Sequence, residues 1–161
     1  MNKRIVVALL SLLGFNVHAQ STGMAKAECE EIMNALLPFA KQMLEQHGEF
    51  FPFGGTMKSN GEITYTAGYD GREPPPSVDV IKLLKDGFRS GARSGQYKAT
   101  ALVYDVRVVL PSSGQKSDAV AVALDHRDSY SVVVYFPYQI ASGKVLFGEV
   151  FAEKGEANVF K

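Results

Sequence analysis

Cysteine and histidine are scarce in this sequence, and their scarcity excludes several classes of protein. Cys29 is the one cysteine among 161 residues, so no disulfide can form within the chain and a hydrophobic core must hold the fold alone. We expect Cys29 on the apolar side of a helix as a buried small hydrophobe, with an intermolecular disulfide or a reactive thiol as the alternative.

The sequence also lacks the motifs of metal and nucleotide chemistry. None of the spacings His-x-x-x-His, Cys-x-x-Cys and His-Glu-x-x-His, which hold transition metals, occurs in the chain. There is no Gly-x-Ser-x-Gly elbow and no Gly-rich phosphate loop followed by Lys-Ser or Lys-Thr. The sequence therefore predicts no metal site and no cofactor, and it disfavours nucleotide chemistry.

No apolar run in the sequence reaches the length of about 20 residues that a membrane-spanning helix needs. An apolar run over residues 5–17 follows Lys3 and Arg4, and it ends at Val17-His18-Ala19. This pattern is typical of a signal peptide of bacterial type over residues 1–19, cleaved before Gln20. Because no cysteine for a lipid anchor lies near the cut, we expect a periplasmic or secreted protein without membrane insertion.

The charge balance argues against nucleic acid as a general partner. The chain has 17 basic and 17 acidic residues, and removal of residues 1–19 takes away two basic residues and no acid. The mature chain would keep 15 basic and 17 acidic residues, without the basic excess that nucleic-acid binding requires. Residues 20–161 have the size of a single domain.

Hydrophobic periodicity predicts two helices and six strands in residues 20–161. Apolar residues at three- and four-residue spacing predict a first helix over 24–46, kinked or divided at Pro38. A hairpin with a tight turn at Asn60-Gly61, a second helix and four further strands follow. The predicted strands cover residues 50–58, 62–69, 98–110, 118–125, 130–138 and 144–152, and the second helix covers residues 78–94. The expected fold is α+β, with two helices packed on a mostly antiparallel sheet in the order α-β-β-α-β-β-β-β.

This order of elements is similar to that of profilin-like and roadblock-like small α+β domains. The resemblance implies a small single domain and no functional residues. Two conspicuous runs, FFPFGG at residues 50–55 and YDGREPPP at residues 69–76, match no functional signature.

The two faces of the predicted sheet differ in side-chain size. If the hairpins pair symmetrically about their turns, Arg107, Ala121, Val134 and Gly148 lie in one row. Small residues collect on that face, so we expect both helices there. The opposite face is too apolar for solvent, and the N-terminal hairpin, the first helix or a second copy of the chain would have to cover it.

A repeated Asp-x-Arg pattern is the nearest approach to a polar site. Asp105 and Arg107 share one face of a strand and could form an ion pair, or Asp105 could serve as a base while Arg107 holds an anion. Asp125, His126 and Arg127 enter a turn, where we expect a solvated hairpin tip. If the protein is an enzyme, His126 is the first choice for its base.

A basic stripe runs along the second helix, at Lys82, Lys85, Arg89 and Arg93. Such a stripe is usually solvated, and positive charge near a helix C-terminus is favoured by the helix dipole. As a functional surface it would receive an acidic protein or an anionic ligand.

Export, small size, the basic stripe and the two apolar sheet faces favour a small exported binding or inhibitory protein of the immunity type. It would act through a protein-protein interface without catalysis, and two copies could associate. One alternative is a small hydrolase that uses His126 with Asp105 or Asp125. Another is a small-ligand sensor with a pocket near Tyr104, Asp105 and Arg107.

Overall fold

The computed structural model describes residues 16–68, 71 and 76–161, with side chains in the first helix given from Ser21 onward. Most of the expected signal peptide lies outside the described residues, and so does most of the YDGREPPP run. The described residues are therefore those of the predicted mature domain together with residues 16–19 of the expected signal peptide, which belong to the first helix.

The described residues form two helices and one seven-stranded antiparallel sheet, which confirms the predicted α+β fold and its order. The predicted last strand is divided in two. The helices are α1 (Asn16–His47) and α2 (Ser77–Arg93). The strands are β1 (Phe53–Met57), β2 (Ile63–Ala67), β3 (Ala99–Val109), β4 (Lys116–His126), β5 (Tyr130–Ala141), β6 (Lys144–Phe147) and β7 (Phe151–Lys154).

The strands are ordered β2-β1-β3-β4-β5-β6, and β7 also pairs with β5. Since β4 occupies one edge of β5, β6 and β7 follow each other along the other edge. Between them the Gly148 amide donates to the Pro137 carbonyl at 2.7 Å. The two short strands are thus one strand interrupted by a bulge.

The register of the sheet differs from the symmetric pairing expected from the sequence. Arg107 lies opposite Asp118 and not opposite Ala121, while Ala121 lies between Tyr104 on β3 and Tyr135 on β5. The expected row was wrong because β3 ends at Val109, one residue earlier than predicted, and β4 begins at Lys116, two residues earlier than predicted. These shifts move the centre of the β3–β4 hairpin.

The two helices pack on opposite faces of the sheet, so the prediction that both cover one face was wrong. α1 packs on β1, β3, β4, β5 and β6 and forms the larger core. α2 packs on β1 and β3 and forms a second core with Leu102 and with Val159 from the C-terminal segment. No second copy is needed to cover the core residues of either face.

The FFPFGG run has a structural explanation, because its two glycines let both helices approach β1. A Cβ on Gly54 would lie 2.5 Å from the Ala101 carbonyl oxygen and 2.6 Å from the ring of Phe88 on α2. A Cβ on Gly55 would lie 3.1 Å from the side chain of Leu36 on α1. The run is therefore a packing feature of β1.

α1 continues through Pro38 as one helix and is not divided there, and Pro38 itself is exposed. Its buried positions recur every three or four residues, as an amphipathic helix requires. They are Ala25, Cys29, Ile32, Leu36, Ala40 and Leu44. Cys29 is fully buried, as expected, and burial raises the pKa of its thiol to about 12. Among the described residues, no helix combines the length and the apolar character needed to cross a membrane.

Candidate functional site

A cleft of about 420 Å³ opens on the α2 face of the sheet. It exists because α2 covers β1 and β3 and stops short of β4 and β5. The sheet forms its floor, α2 forms one wall, and the C-terminal segment from Gly155 to Val159 forms another. Its volume lies in the range of natural ligand sites.

The middle of the cleft floor is apolar. In one row across the sheet, Leu102 on β3 lies opposite Ala123 on β4, and Ala123 lies opposite Val133 on β5. Ile81 of α2 lines the same space. Because the side chain of Ala123 at the centre of this row is small, the cleft is deep at that point.

Two tyrosines mark one end of the cleft. Tyr104 and Tyr135 lie on either side of Ala121 in the neighbouring row. The Tyr135 ring stacks on Phe151, with centroids 4.9 Å apart, and its hydroxyl donates to Glu153 Oε2 at 3.4 Å. This end therefore combines aromatic rings with a carboxylate.

Asp125 and Ser131 mark the other end, and they bind the C-terminal segment. The amides of Asn158 and Val159 each donate to Asp125 Oδ2 at 3.1 Å, and the Ala157 amide donates to Ser131 Oγ at 3.0 Å. Ala157 has a positive φ of 49°, which aims successive amides at the two side chains. The segment is thus held by its main chain, with Val159 anchored in the α2 core.

The electrostatics of this end follow from burial. Asp125 is 9% exposed, and burial raises its pKa more than the Val159 and Asn158 amides lower it. A buried carboxylate that accepts backbone amides is a structural anchor for the segment. Asp125 was expected on a solvated hairpin tip, and that placement was wrong.

The rim of the cleft carries an ion pair between α2 and the C-terminal segment. Lys85 Nζ lies 3.4 Å from Glu156 Oε2, and Asn158 Nδ2 donates to the same oxygen at 2.6 Å. The charge of Lys85, followed by the hydrogen bond, lowers the pKa of Glu156. Burial, followed by the carboxylates of Glu156 and Glu153, raises the pKa of Tyr104.

The basic stripe of α2 is largely neutralised by acids of the same chain. Lys82 Nζ lies 2.9 Å from Asp86 Oδ2, and Arg89 Nη1 lies 3.1 Å from Asp86 Oδ1. Arg89 Nε also donates to the Asn158 carbonyl at 3.4 Å. Lys85 and Arg89 therefore fasten the C-terminal segment, while Lys82 and Arg93 remain exposed.

His126 is buried and bonded at both ring nitrogens, contrary to the expected exposed turn. Its side chain is 1% exposed. The Asp128 amide donates to Nδ1 at 3.0 Å, so Nε2 carries the proton and donates to Glu28 Oε2 at 2.9 Å. Lys98 Nζ lies 2.6 Å from Glu28 Oε1. The cluster of Glu28, Lys98 and His126 ties α1 to β3 and β4.

Asp105 and Arg107 each bond another residue, so their expected mutual ion pair was wrong. The Tyr138 hydroxyl donates to both carboxylate oxygens of Asp105 at 3.2 Å, and burial raises the pKa of Asp105. Arg107 Nη1 lies 3.6 Å from Asp118 Oδ1, its neighbour across the hairpin. Both residues lie on the α1 face, away from the cleft that Tyr104 lines.

Most of the residues that line the cleft were not predicted from the sequence as site residues. Of its lining, the predicted site residues include Lys85 and Asp125, and the sensor alternative adds Tyr104. The alternation of Ala119, Ala121 and Ala123 along one strand was the available signal, because small residues in a central strand leave space for something else. No known family model, curated protein or solved structure matches this chain, and its described residues contain no cluster of three potential metal ligands.

Proposed function

We propose that this chain is a small exported binding or inhibitory protein that holds a partner protein on the α2 face of its sheet. The observation that carries the proposal is the cleft of about 420 Å³ beside α2, with its apolar floor and polar rim. A partner side chain seated there would be desolvated by Ala123, Val133 and Ile81, which is the environment of an interface hot spot. The predicted signal peptide supports a location in the periplasm or outside the cell.

The geometry favours binding over the hydrolase alternative. His126 has one ring nitrogen bonded to the Asp128 amide and the other to Glu28, and its side chain is buried. Asp125 is engaged by the C-terminal segment. A general base needs a free lone pair within reach of a substrate, and His126 offers none in this arrangement.

The test is a variant that fills the cleft without disturbing the fold. The side chain of Ala123 points into the cleft and is not fully buried, so Ala123→Leu has room. A partner is first captured from envelope and secreted extracts and then purified, and its Kd is measured by calorimetry. We expect Ala123→Leu to weaken binding at least about tenfold, while the thermal midpoint stays the same or rises.

The matched control is Ala152→Leu, the same change at an exposed position of β7. It should leave the Kd unchanged. A partner that binds Ala123→Leu as tightly as the wild type would refute the proposal. Loss of binding in Lys82→Glu/Arg93→Glu alone would instead identify the exposed part of the basic stripe as the contact.

A further inference from the structure

The end of the cleft near β7 combines aromatic faces with carboxylates. The rings of Tyr135 and Phe151 stack there, and the Tyr135 hydroxyl bonds Glu153. Tyr104 lies two strands from Tyr135 in the same row, at a separation of about 10 Å set by the strand spacing.

The charged side chains around the cleft differ in whether an ion pair or hydrogen bonds within the chain already compensate their charge. Lys85 of α2 is paired with Glu156, and Asp125 of β4 accepts two backbone amides. Arg89 is bonded to Asp86 and to the Asn158 carbonyl. Among the bonds of the described residues, the exposed carboxylate of Glu153 accepts from the neutral hydroxyl of Tyr135 alone. Glu153 lies opposite Val133 of the cleft floor, whereas Lys154, which also contributes to the lining, lies opposite Val132 of the α1 face. An incoming cation would therefore gain a charge-assisted bond to Glu153 without breaking an existing ion pair.

We propose that the cleft takes a cationic group on an apolar stem, namely a lysine or arginine side chain of the partner. The stem would lie over Leu102, Ala123 and Val133, and the charged head would meet Glu153 beside the ring of Tyr135. Long basic side chains pack their methylene groups on apolar surface while the head stays polar, and aromatic faces attract cations. The inference rests on the proposed function and reverses the acidic partner that the basic stripe suggested.

An anionic side chain is the opposite case. It would face the carboxylate of Glu153 directly. To reach Lys85 it would have to replace Glu156, which also accepts from Asn158. Each of these steps opposes binding, so the cleft discriminates by charge.

Three small probes that share a butyl stem test this discrimination. These are n-butylguanidinium, pentanamide and pentanoate, titrated into ¹⁵N-labelled protein while the amide shifts of Ala123, Val133 and Gly155 are followed. We expect saturable shifts with n-butylguanidinium at a Kd of about 1–10 mM. Pentanamide should bind about tenfold more weakly, and pentanoate more weakly still.

Glu153→Gln should weaken the binding of n-butylguanidinium several-fold, whereas Glu149→Gln, an exposed change in the bulge between β6 and β7, should leave the Kd unchanged. Equal or tighter binding of pentanamide or pentanoate would overturn the inference, and so would the absence of saturable shifts with n-butylguanidinium. A purified partner lost by Ala123→Leu but indifferent to Glu153→Gln would also overturn it while the proposed function stands. Insensitivity of the partner to Ala123→Leu would refute the proposed function itself.

Discussion

The two faces of the sheet are covered to different extents, although one helix packs on each. α1 has 32 residues and reaches from β1 to β6, whereas α2 has 17 residues and packs on β1 and β3. At 1.5 Å per residue the helices are about 48 Å and about 25 Å long. α1 therefore covers its face more fully, while the α2 face leaves the cleft beside Ala123 of β4 and Val133 of β5, where we propose that a partner binds.

Equivalent leucines in the two helices should show the largest difference between the faces. Leu36 of α1 is 0% exposed, and Leu84 of α2 is 3% exposed. We expect Leu36→Ala to lower the free energy of unfolding by about 4 kcal/mol, because the closed core cannot fill the space. Leu84→Ala should cost about 2.5 kcal/mol, since the smaller core can relax. Urea denaturation measures both.

Leu83→Ala is the control for these variants. Leu83 neighbours Leu84 on the same helix but is 44% exposed, so its removal should change stability by less than about 0.5 kcal/mol. Equal losses for Leu36→Ala and Leu84→Ala would mean that the two cores are equally rigid, and the contrast between the faces would fail.

The adjacent residues Gly54 and Gly55 allow the two faces of the sheet to be compared within a single strand, β1. In Gly54→Ala the new methyl group would meet the Ala101 carbonyl, which belongs to the sheet and cannot move cheaply. We expect a loss of about 3 kcal/mol. In Gly55→Ala the methyl group meets the side chain of Leu36 at 3.1 Å and the Thr64 carbonyl oxygen at 3.2 Å. Both contacts are longer than those at Gly54, so the loss should be about 1 kcal/mol.

Thermal denaturation of the two variants provides the measurement. A larger loss for Gly55→Ala than for Gly54→Ala would show that α1, and not the backbone of β3, sets the tightest limit at β1.

The smallest expected difference concerns one carboxyl on each face. Burial alone would raise the pKa of Glu28, but its bonds with Lys98 and His126 outweigh burial and hold the pKa below 4.5. Its stabilising effect is present above pH 4.5 and is lost as the pH falls through the lower folded pKa. Burial holds the pKa of Asp125 above 3.8, so the folded state binds its proton more readily and Asp125 becomes more favourable as the pH falls.

Urea unfolding of wild type, Glu28→Gln and Asp125→Asn from about pH 7 to about pH 3.5 separates these effects. The advantage of wild type over Glu28→Gln should shrink toward acid, while wild type should gain relative to Asp125→Asn. Slopes of the same sign would contradict the assigned environments of the two carboxyls.

Local sequence patterns sufficed for the elements but not for their pairing. The apolar spacing of α1 and the Asn60-Gly61 turn are properties of short segments, and α2 and the first hairpin lie within three residues of their predicted bounds. α1 ends one residue after its predicted end but begins at Asn16, eight residues before the predicted start. The β3–β4 register depends on where β4 begins, and no residue between Pro111 and Ser117 fixes that position from sequence. The face that each helix covers was equally undetermined, because both faces of β3 and β4 are apolar.

The site was harder to predict because its contacts join distant residues. Asp125-His126-Arg127 has the composition of an exposed turn, yet His126 bonds Glu28, which lies 98 residues earlier, and Asp125 bonds Val159, which lies 34 residues later. Polar residues become buried when partners arrive from elsewhere in the chain. The alanines of β4 indicated space, but only the short reach of α2 determines that the space stays open.

The position of α1 has a consequence for how the chain reaches its native state. The helix comes first in the sequence, yet its partners come late, since Glu28 meets His126 and Glu45 accepts from the Val145 amide 100 residues away. α1 also packs on β1 and β3, but both of these bonds and its packing on β4, β5 and β6 need the second half of the chain. Chains dominated by such distant contacts fold slowly, over milliseconds to seconds.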